Sequence, residues 1–336
     1  MKKLLYVAGL AVIMGACTSQ GQSGSDGNSS ANPFFSEYTT PYGVPPFDQI
    51  QGAHYKPAFE RAMEEHKNEI DAIINNSEAP TFENTIVALD QSGELLNKVM
   101  YAFGGQASVN TTEEIQALEQ EIYPMLSKHS DDISLNPKLF ARVKAVYDKK
   151  DQLGLDKEQM KLLEETYKDF VRGGANLSEA DQAKLRELNS EISMLQLTFG
   201  QNMLKETNAF KLVIDKKEDL SGLPETLIAN AAKAAEEAGM PGKWVFTLQN
   251  PSVMPFLQYA DNRELREKIF KAYINRGNNN NENDNKEVVR KLVSARLAKA
   301  KLMGYEDYAA FALEDRMAKN SANVYKLLDE IWTPAL

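Results

Sequence analysis

The sequence has 336 residues, of which 43% are hydrophobic and 26% are charged, and its formal net charge at pH 7 is −10. A chain of this length can bury a substantial core and suits one large domain or two of ordinary size. The acidic balance argues against a nucleic-acid-binding surface, because such a surface needs clustered lysine and arginine side chains.

The N-terminus has the pattern of a secretory signal peptide. Two lysines precede the apolar run Leu4–Ala16, which is too short to cross a bilayer as a helix, since that takes about 20 residues. The run ends at Cys17, the only cysteine, so no disulfide framework is possible. The small residues before Cys17 resemble a bacterial lipoprotein processing site, although Met14 and Gly15 depart from the commoner residues. The alternative is a chance free cysteine in the leader.

Four regions are expected along the chain. Residues 1–16 form the signal peptide, and loss of its two lysines changes the net charge from −10 to −12. Residues 17–31 are the lipidated cysteine and a disordered tether rich in Ser, Gly, Gln, Asn and Asp. Residues 32–47 carry four prolines and five aromatics and predict an extended arm packed on a globular body. Residues 48–336 are expected to be that body.

Apolar residues recur at helical spacing through most of the body. The range His54–Ile74 predicts a first helix, and Thr81 opens a second helical segment. Thr111 and Glu114 have the spacing of a capping box before a third helix. The buried face of the second segment is predicted to carry Ile86, Leu89, Leu96, Met100 and Phe103.

The longest helical pattern begins at Ser178, with Asp181 three residues further on. Pro137 and Asp156 begin two shorter helices before it. A coiled-coil seam is one interpretation of this long stripe, but a helix packed inside an α-helical domain is favoured because the pattern does not repeat in heptads. The stripe consists of Leu185, Leu188, Ile192, Leu195, Phe199 and Met203.

Two short stretches rich in β-branched and aromatic residues predict strands at Phe210–Ile214 and Trp244–Leu248. A single helix separates them, so they could pair in a small sheet. The range Gly277–Asn285 is a polar, asparagine-rich loop. Its spacing does not match a calcium-binding EF-hand, because the central glycine is missing and Val289 stands where an acid is needed.

The range Lys243–Tyr273 carries the most specific information in the chain. After its strand, Asn250 and Pro251 indicate a helix start, and Asp261 followed by Glu264 indicates a second. One apolar face of the second helix is formed by Leu265, Ile269 and Tyr273.

The sequence motifs of this range resemble those of a known family. It contains W-x-x-x-L and then PS-x-x-P-x-L-x-Y-x-x-NR-x-LRE; the string APTFENTIVALDQSGELL lies earlier and RMA later. These motifs resemble the M3, or thimet oligopeptidase, family of zinc metallopeptidases, and within it the bacterial dipeptidyl carboxypeptidases. The resemblance extends from Asn32 to Leu336.

The resemblance implies a mostly α-helical fold, specifically the N-terminal half of a two-lobed helical metallopeptidase with a small strand pair. In that family a channel between the lobes admits short peptides. Zinc is held by two histidines of an H-E-x-x-H helix and by a glutamate on a later helix. The glutamate inside the motif activates the zinc-bound water.

The zinc motif is absent from these 336 residues. The three histidines are His54, His66 and His129, and no two of them have the required spacing. His66 is interpreted as solvated helix surface, and His54 as a capping or packing residue. No catalytic residue and no metal ligand is therefore predicted in this segment, and Cys17, as the lipidation site, is the one site residue.

The expected protein is an exported, lipid-anchored zinc oligopeptidase of the cell envelope that releases dipeptides from the C-termini of short peptides. These residues are expected to supply scaffold and channel wall, to end before the zinc-binding catalytic domain, and to be inactive alone. The alternatives are an oligopeptidase that cuts internal bonds and a non-catalytic helical lipoprotein that binds peptides or an envelope partner. The sequence leaves the oligomeric state open.

Overall fold

The computed structural model describes residues 32–336, which are mostly α-helical with one two-stranded sheet. The mostly α-helical fold class with a small strand pair is confirmed. The predicted signal peptide, Cys17 and the tether lie outside the described residues, so those expectations stay predictions. None of the helices within residues 32–336 is both long and apolar enough to cross a membrane.

The helices and strands follow one another as α1 (Gly52–Ile74), α2 (Ala88–Asp90), α3 (Glu94–Val109), α4 (Glu113–Ser134), α5 (Pro137–Tyr147), α6 (Lys157–Arg172), α7 (Glu179–Ala209), β1 (Leu212–Ile214), α8 (Glu225–Glu237), β2 (Trp244–Phe246), α9 (Asn250–Tyr259), α10 (Arg263–Ile274), α11 (Lys286–Leu302), α12 (Tyr308–Glu314) and α13 (Ser321–Ala335). A π-helical segment, Phe82–Val87, runs directly into α2. The predicted second helix is therefore divided, and Gly93 in a left-handed conformation separates α2 from α3.

The N-terminal core is built on aromatic rings from the arm, α1 and α3. Phe34 of the arm is fully buried, with its ring centroid 5.3 Å from that of Tyr55. Phe103 meets Tyr55 and Phe59 edge to face, at 4.9 and 5.5 Å. Such pairs add to the free energy of burying the rings. The first turn of the arm thus packs on the body, whereas Tyr42 further along it is fully exposed.

Helix α7 joins the two halves of the structure. The Ser178 hydroxyl accepts a hydrogen bond from the backbone N–H of Asp181, as the sequence predicts, and the helix packs against α4 and α11. Its apolar stripe is covered only in part: Leu185 is buried, but Phe199 is 37% exposed. The preference for a helix packed within an α-helical domain agrees with these helix contacts, although part of the stripe stays exposed among the described residues.

The two-stranded sheet lies at the centre of the C-terminal core, which includes residues 212–269. Strands β1 and β2 pair antiparallel with Leu212 opposite Phe246, which confirms the predicted pair. Helices α8, α9 and α10 cover it, and Phe256 and Ile269 are fully buried in this core. Leu265 and Tyr273 pack against the same core, so the predicted apolar face of α10 is confirmed.

Helix starts differ from the sequence prediction by one residue in two places. Thr112, not Thr111, caps α4, because its hydroxyl accepts from the backbone N–H of Ile115. Asn262, not Asp261, caps α10, because Asp261 accepts a hydrogen bond from the hydroxyl of Ser221 instead. Both segments offer two adjacent capping residues. Asp261 is engaged by Ser221, whereas the Thr111 hydroxyl has no hydrogen-bond partner in the described residues.

Helix α13 leaves its apolar side open among the described residues. Tyr325, Leu328, Ile331 and Trp332 are each more than half exposed. Their spacing of three, three and one places them on one side of the helix. Apolar side chains grouped in this way mark a surface that contacts another part of a protein or a partner.

Candidate functional site

A cavity of about 600 Å³ lies among α1, α3, α4, α6 and α7, and we call it the histidine cavity. Its volume is within the range of ordinary ligand-binding sites, roughly 300–1,000 Å³. Its polar lining includes His66, His129, Tyr123 and Asp169, together with four serines. Its apolar lining consists of Leu89, Leu96, Met100, Leu126, Ile133 and Phe170.

The two histidines meet although they are 63 residues apart in the chain. His66 lies on α1 and His129 on α4, and their facing ring nitrogens are 3.0 Å apart. The turn at Gly93 allows this packing. A Cβ at Gly93 would lie 3.1 Å from the His66 ring, and the Gly93 N–H donates to the Glu69 carboxylate over 2.7 Å.

Hydrogen bonds around His66 define which nitrogen carries its proton. The Ser92 hydroxyl donates to the carbonyl of Leu89 over 2.7 Å, so it can only accept from Nε2 of His66, 3.1 Å away. Nδ1 of His66 is then an acceptor, and Nε2–H of His129 donates to it. The chain of hydrogen bonds therefore runs from His129 through His66 and Ser92 to Leu89, with both rings neutral.

Burial favours the neutral form of both rings. Loss of solvent lowers the pKa of His66, and the nearby Glu69 carboxylate offsets this only in part. Burial also lowers the pKa of His129, and His66 and Lys128 lower it further against the opposing effect of Asp132. Protonating His66 on Nδ1 would in addition require His129 to give up its Nε2 proton for the hydrogen bond between the rings to persist.

The interpretation of His66 as solvated surface is wrong. The helical spacing indicates that His66 faces the protein interior. Ala62, His66 and Ile70 repeat every four residues, and Ala62 and Ile70 are both buried. His129 likewise continues the α4 stripe that includes Ile122. His54 does cap α1, since its Nδ1 accepts from the backbone N–H of Gln51.

Acidification is expected to destabilise the fold through this histidine pair. Unfolded histidine has a pKa of about 6.5, and both folded pKa values are lower, so below pH 6.5 the unfolded state binds more protons. Stability is therefore complete above this pH and falls as the pH is lowered. The melting temperature should fall between pH 7 and pH 5, and this fall should be smaller in the double variant His66→Gln/His129→Gln. It should be unchanged in the control His54→Gln. Equal falls in the unchanged protein and both variants would contradict the role of the histidine pair.

A second cavity, of about 700 Å³, lies between α4 and α7 and is charged. Asp132 in it pairs with Arg186 at 2.7 Å and with Lys128. Burial acts to raise the pKa of Asp132, but these two cations outweigh it and hold the pKa below its usual value. Two other acids of its lining, Glu187 and Glu191, are exposed, which is typical of a solvated helix junction.

A partly buried polar bridge beside this cavity connects three helices. Asn189 of α7 donates to Asp131 of α4 over 2.7 Å and accepts from Lys299 of α11 over 2.6 Å. Burial raises the pKa of Asp131 and lowers that of Lys299, so the amide of Asn189 satisfies two groups that burial penalises when charged. This arrangement holds helices in place.

The asparagine-rich loop has a structural partner that the sequence did not indicate. Its Asn279 and Asn281 side chains donate to the buried carboxylate of Glu206 on α7. Burial alone would raise the pKa of Glu206, but these hydrogen bonds lower it. The loop presents amide N–H groups to an anion, an arrangement opposite to that of a cation site.

Comparison with known proteins identifies the family. The profile of Peptidase family M3 matches residues 256–335. Dipeptidyl carboxypeptidase of Escherichia coli is 40% identical over 300 residues, covering 89% of this chain and 44% of that protein. The chain belongs to peptidase family M3. The dipeptidyl carboxypeptidase of Salmonella typhimurium is 37% identical over 306 residues, covering 91% of this chain and 45% of that protein.

A relative that is named for a different peptidase activity also matches. Oligopeptidase A of Haemophilus influenzae is 30% identical over 293 residues, covering 86% of this chain and 43% of that protein. The chain spans less than half the length of these three relatives. Family membership therefore concerns this segment, and it confirms the resemblance found in the sequence motifs.

The zinc ion expected of an M3 peptidase does not fit the residues that the structure describes. Within residues 32–336 no group of three His, Cys, Asp or Glu side chains could hold a metal ion. His66 and His129 are two potential ligands, but their facing nitrogens share a hydrogen bond. A structural or catalytic zinc site needs three or four protein ligands, so no catalytic step is assigned to these histidines.

Proposed function

We propose that the complete protein is a zinc-dependent M3 peptidase that releases dipeptides from the C-termini of short peptides. The observation that carries this proposal is the 40% identity over 300 residues to a dipeptidyl carboxypeptidase. The described residues would form scaffold and part of the channel wall. Their proposed role is to position the channel wall, and buried aromatic rings and polar bridges connect the helices that would form it.

We place the zinc and catalytic groups in a part of the protein outside residues 1–336. Two observations support this division: the 336 residues contain no H-E-x-x-H sequence, and their relatives are more than twice the matched length. The exposed apolar side of α13 is a suitable surface for contact with that other part. The isolated 336-residue chain is accordingly predicted to be inactive on peptides.

The proposed activity can be tested on the native protein with an N-acetylated peptide of about ten residues, by product mass spectrometry. We expect successive loss of C-terminal dipeptides, abolished by EDTA and restored by zinc. The same peptide with a C-terminal amide serves as the control, since it lacks the terminal carboxylate and should be cleaved much more slowly. Absence of any cleavage would refute the proposal and favour the non-catalytic peptide-binding lipoprotein.

An oligopeptidase that cuts internal bonds is the second candidate, and the match to oligopeptidase A favours it. The same experiment separates the two activities. Internal cleavage yields fragments of varied length from both the free and the amidated peptide, whereas dipeptide release yields a ladder with steps of two residues from the free peptide.

Export and lipid anchoring form a separate part of the proposal. The support is the apolar run that ends at Cys17 and the polar tract that follows it. A lipid-modified cysteine would hold the protein at the cell envelope, and stable attachment takes at least two acyl chains. No nucleic-acid partner is proposed, given the net charge of −10.

Replacement of Cys17 tests the anchor. In Cys17→Ala the protein should lose its lipid and move from the detergent phase to the aqueous phase in a detergent partitioning assay. Cys17 is the only cysteine, so no disulfide effect can confuse the result. A matched Ser19→Ala variant should partition like the unchanged protein. Unchanged partitioning of Cys17→Ala would remove the lipoprotein hypothesis.

A further inference from the structure

Asp169 has an unusual position at the rim of the histidine cavity. Its carboxylate lines the cavity and has no hydrogen bond or ion pair with another side chain in residues 32–336. The neighbouring Lys168 is occupied by Glu165 and Asp315. Partial burial raises the pKa of Asp169, and the Glu165 carboxylate raises it further. A carboxylate in this position gains from a cation placed in the cavity.

The remaining lining also favours a cation over an anion. Among the described lining residues there is no lysine or arginine, and both histidines are neutral. Nδ1 of His129 is an acceptor without a partner in this part of the chain, because Nε2 carries the proton donated to His66. Tyr123 and Phe170 also line the cavity, and aromatic rings in general attract ammonium groups more than anions.

The apolar walls define the rest of the ligand. Leu96, Met100 and Leu126 line the cavity beside Phe170. A volume of about 600 Å³ exceeds what a small inorganic cation would fill, and it suits an amine that carries an aliphatic or aromatic group.

We propose that the histidine cavity binds the amino-terminal residue of a peptide when that residue is apolar. The ammonium group pairs with Asp169 and donates to Nδ1 of His129, and the side chain packs among Leu96, Met100 and Phe170. This inference rests on the proposed function for its ligand class, a short peptide. It leaves the carboxyl end of the peptide, where dipeptide release takes place, outside the cavity.

Calorimetric titration in EDTA tests the site without interference from hydrolysis. The probes are phenylalanine amide, which has a free ammonium group, and N-acetylphenylalanine amide, which has none. The native protein should bind the first at least about tenfold more tightly, since a charge-assisted hydrogen bond contributes about 1.5–3 kcal/mol. Asp169→Asn should remove this preference, and Asp151→Asn, an exposed acid that does not line the cavity, should retain it.

Equal binding of both probes, an unchanged preference in Asp169→Asn, or no saturable heat with either probe would overturn the proposal. These outcomes are independent of peptidase activity, because the binding is measured with the metal removed. Cleavage without probe discrimination would refute this site alone, whereas discrimination without cleavage would refute the proposed peptidase activity alone. Asp169 lies at the rim, so its replacement by the isosteric Asn should leave the fold intact.

Discussion

Phe59→Ala is expected to lower the free energy of unfolding by about 3–5 kcal/mol, the usual loss when a buried aromatic side chain is truncated. Phe59 is fully buried, and its ring meets that of Phe103 edge to face. The change removes this contact and leaves a cavity between α1 and α3, which helix backbones cannot close without losing other contacts.

Urea unfolding at pH 7 measures this effect. Tyr101→Ala is the matched control, because Tyr101 lies on the same helix as Phe103 but is 82% exposed. Its replacement should change stability by no more than about 0.5 kcal/mol. A loss below about 1 kcal/mol for Phe59→Ala would show that the aromatic cluster is not the core of this region.

Gly222→Ala is expected to cost about 3 kcal/mol or more, through two additive causes. Gly222 has φ +83°, a left-handed conformation that costs a residue with a Cβ about 1–2 kcal/mol. The new Cβ would also lie 2.2 Å from the carbonyl oxygen of Tyr259, a backbone atom at the end of α9. The turn before α8 must then move away from α9, and the hydrogen bond from Asp261 N–H to the Ser221 carbonyl is strained.

Gly154→Ala separates the two causes. Gly154 also has a left-handed φ, +65°, but no atom lies within 4 Å of the position its Cβ would take. It should therefore cost only the conformational part, about 1–2 kcal/mol. Thermal unfolding of both variants beside the unchanged protein gives the comparison, and equal losses would contradict the close approach of the turn to α9.

Local patterns predicted the elements of this fold well, and long-range packing accounts for the differences. The strand pair, the start of α7 at Ser178 and the apolar face of α10 follow from spacing and capping chemistry alone. Adjacent candidates such as Thr111 and Thr112 are equivalent in local terms. Asp261 and Asn262 are a second such pair, and there the hydroxyl of Ser221, 40 residues away in the chain, occupies Asp261.

Less of the candidate site than of the fold could be predicted from the sequence. The acidic neighbours Glu64 and Glu65 favour an exposed position for His66, whereas its place on α1 in line with buried Ala62 and Ile70 predicts partial burial. Its contact with His129 depends on how α1 packs against α4, which no spacing within either helix can show. The unpaired state of Asp169 is equally a property of the tertiary structure, since the adjacent Lys168 is taken by acids on two elements.

The intact mass of the native protein from its source cells tests the central claim most directly. The claim is that these residues are the scaffold part of an M3 peptidase whose zinc and catalytic groups lie elsewhere in the same chain. A mass more than about twice the 37.5 kDa of this chain would agree with the claim, because the matched residues make up only 44% of the dipeptidyl carboxypeptidase of Escherichia coli. A mass equal to this chain, less its leader and with added lipid, would contradict the claim and leave a non-catalytic lipoprotein.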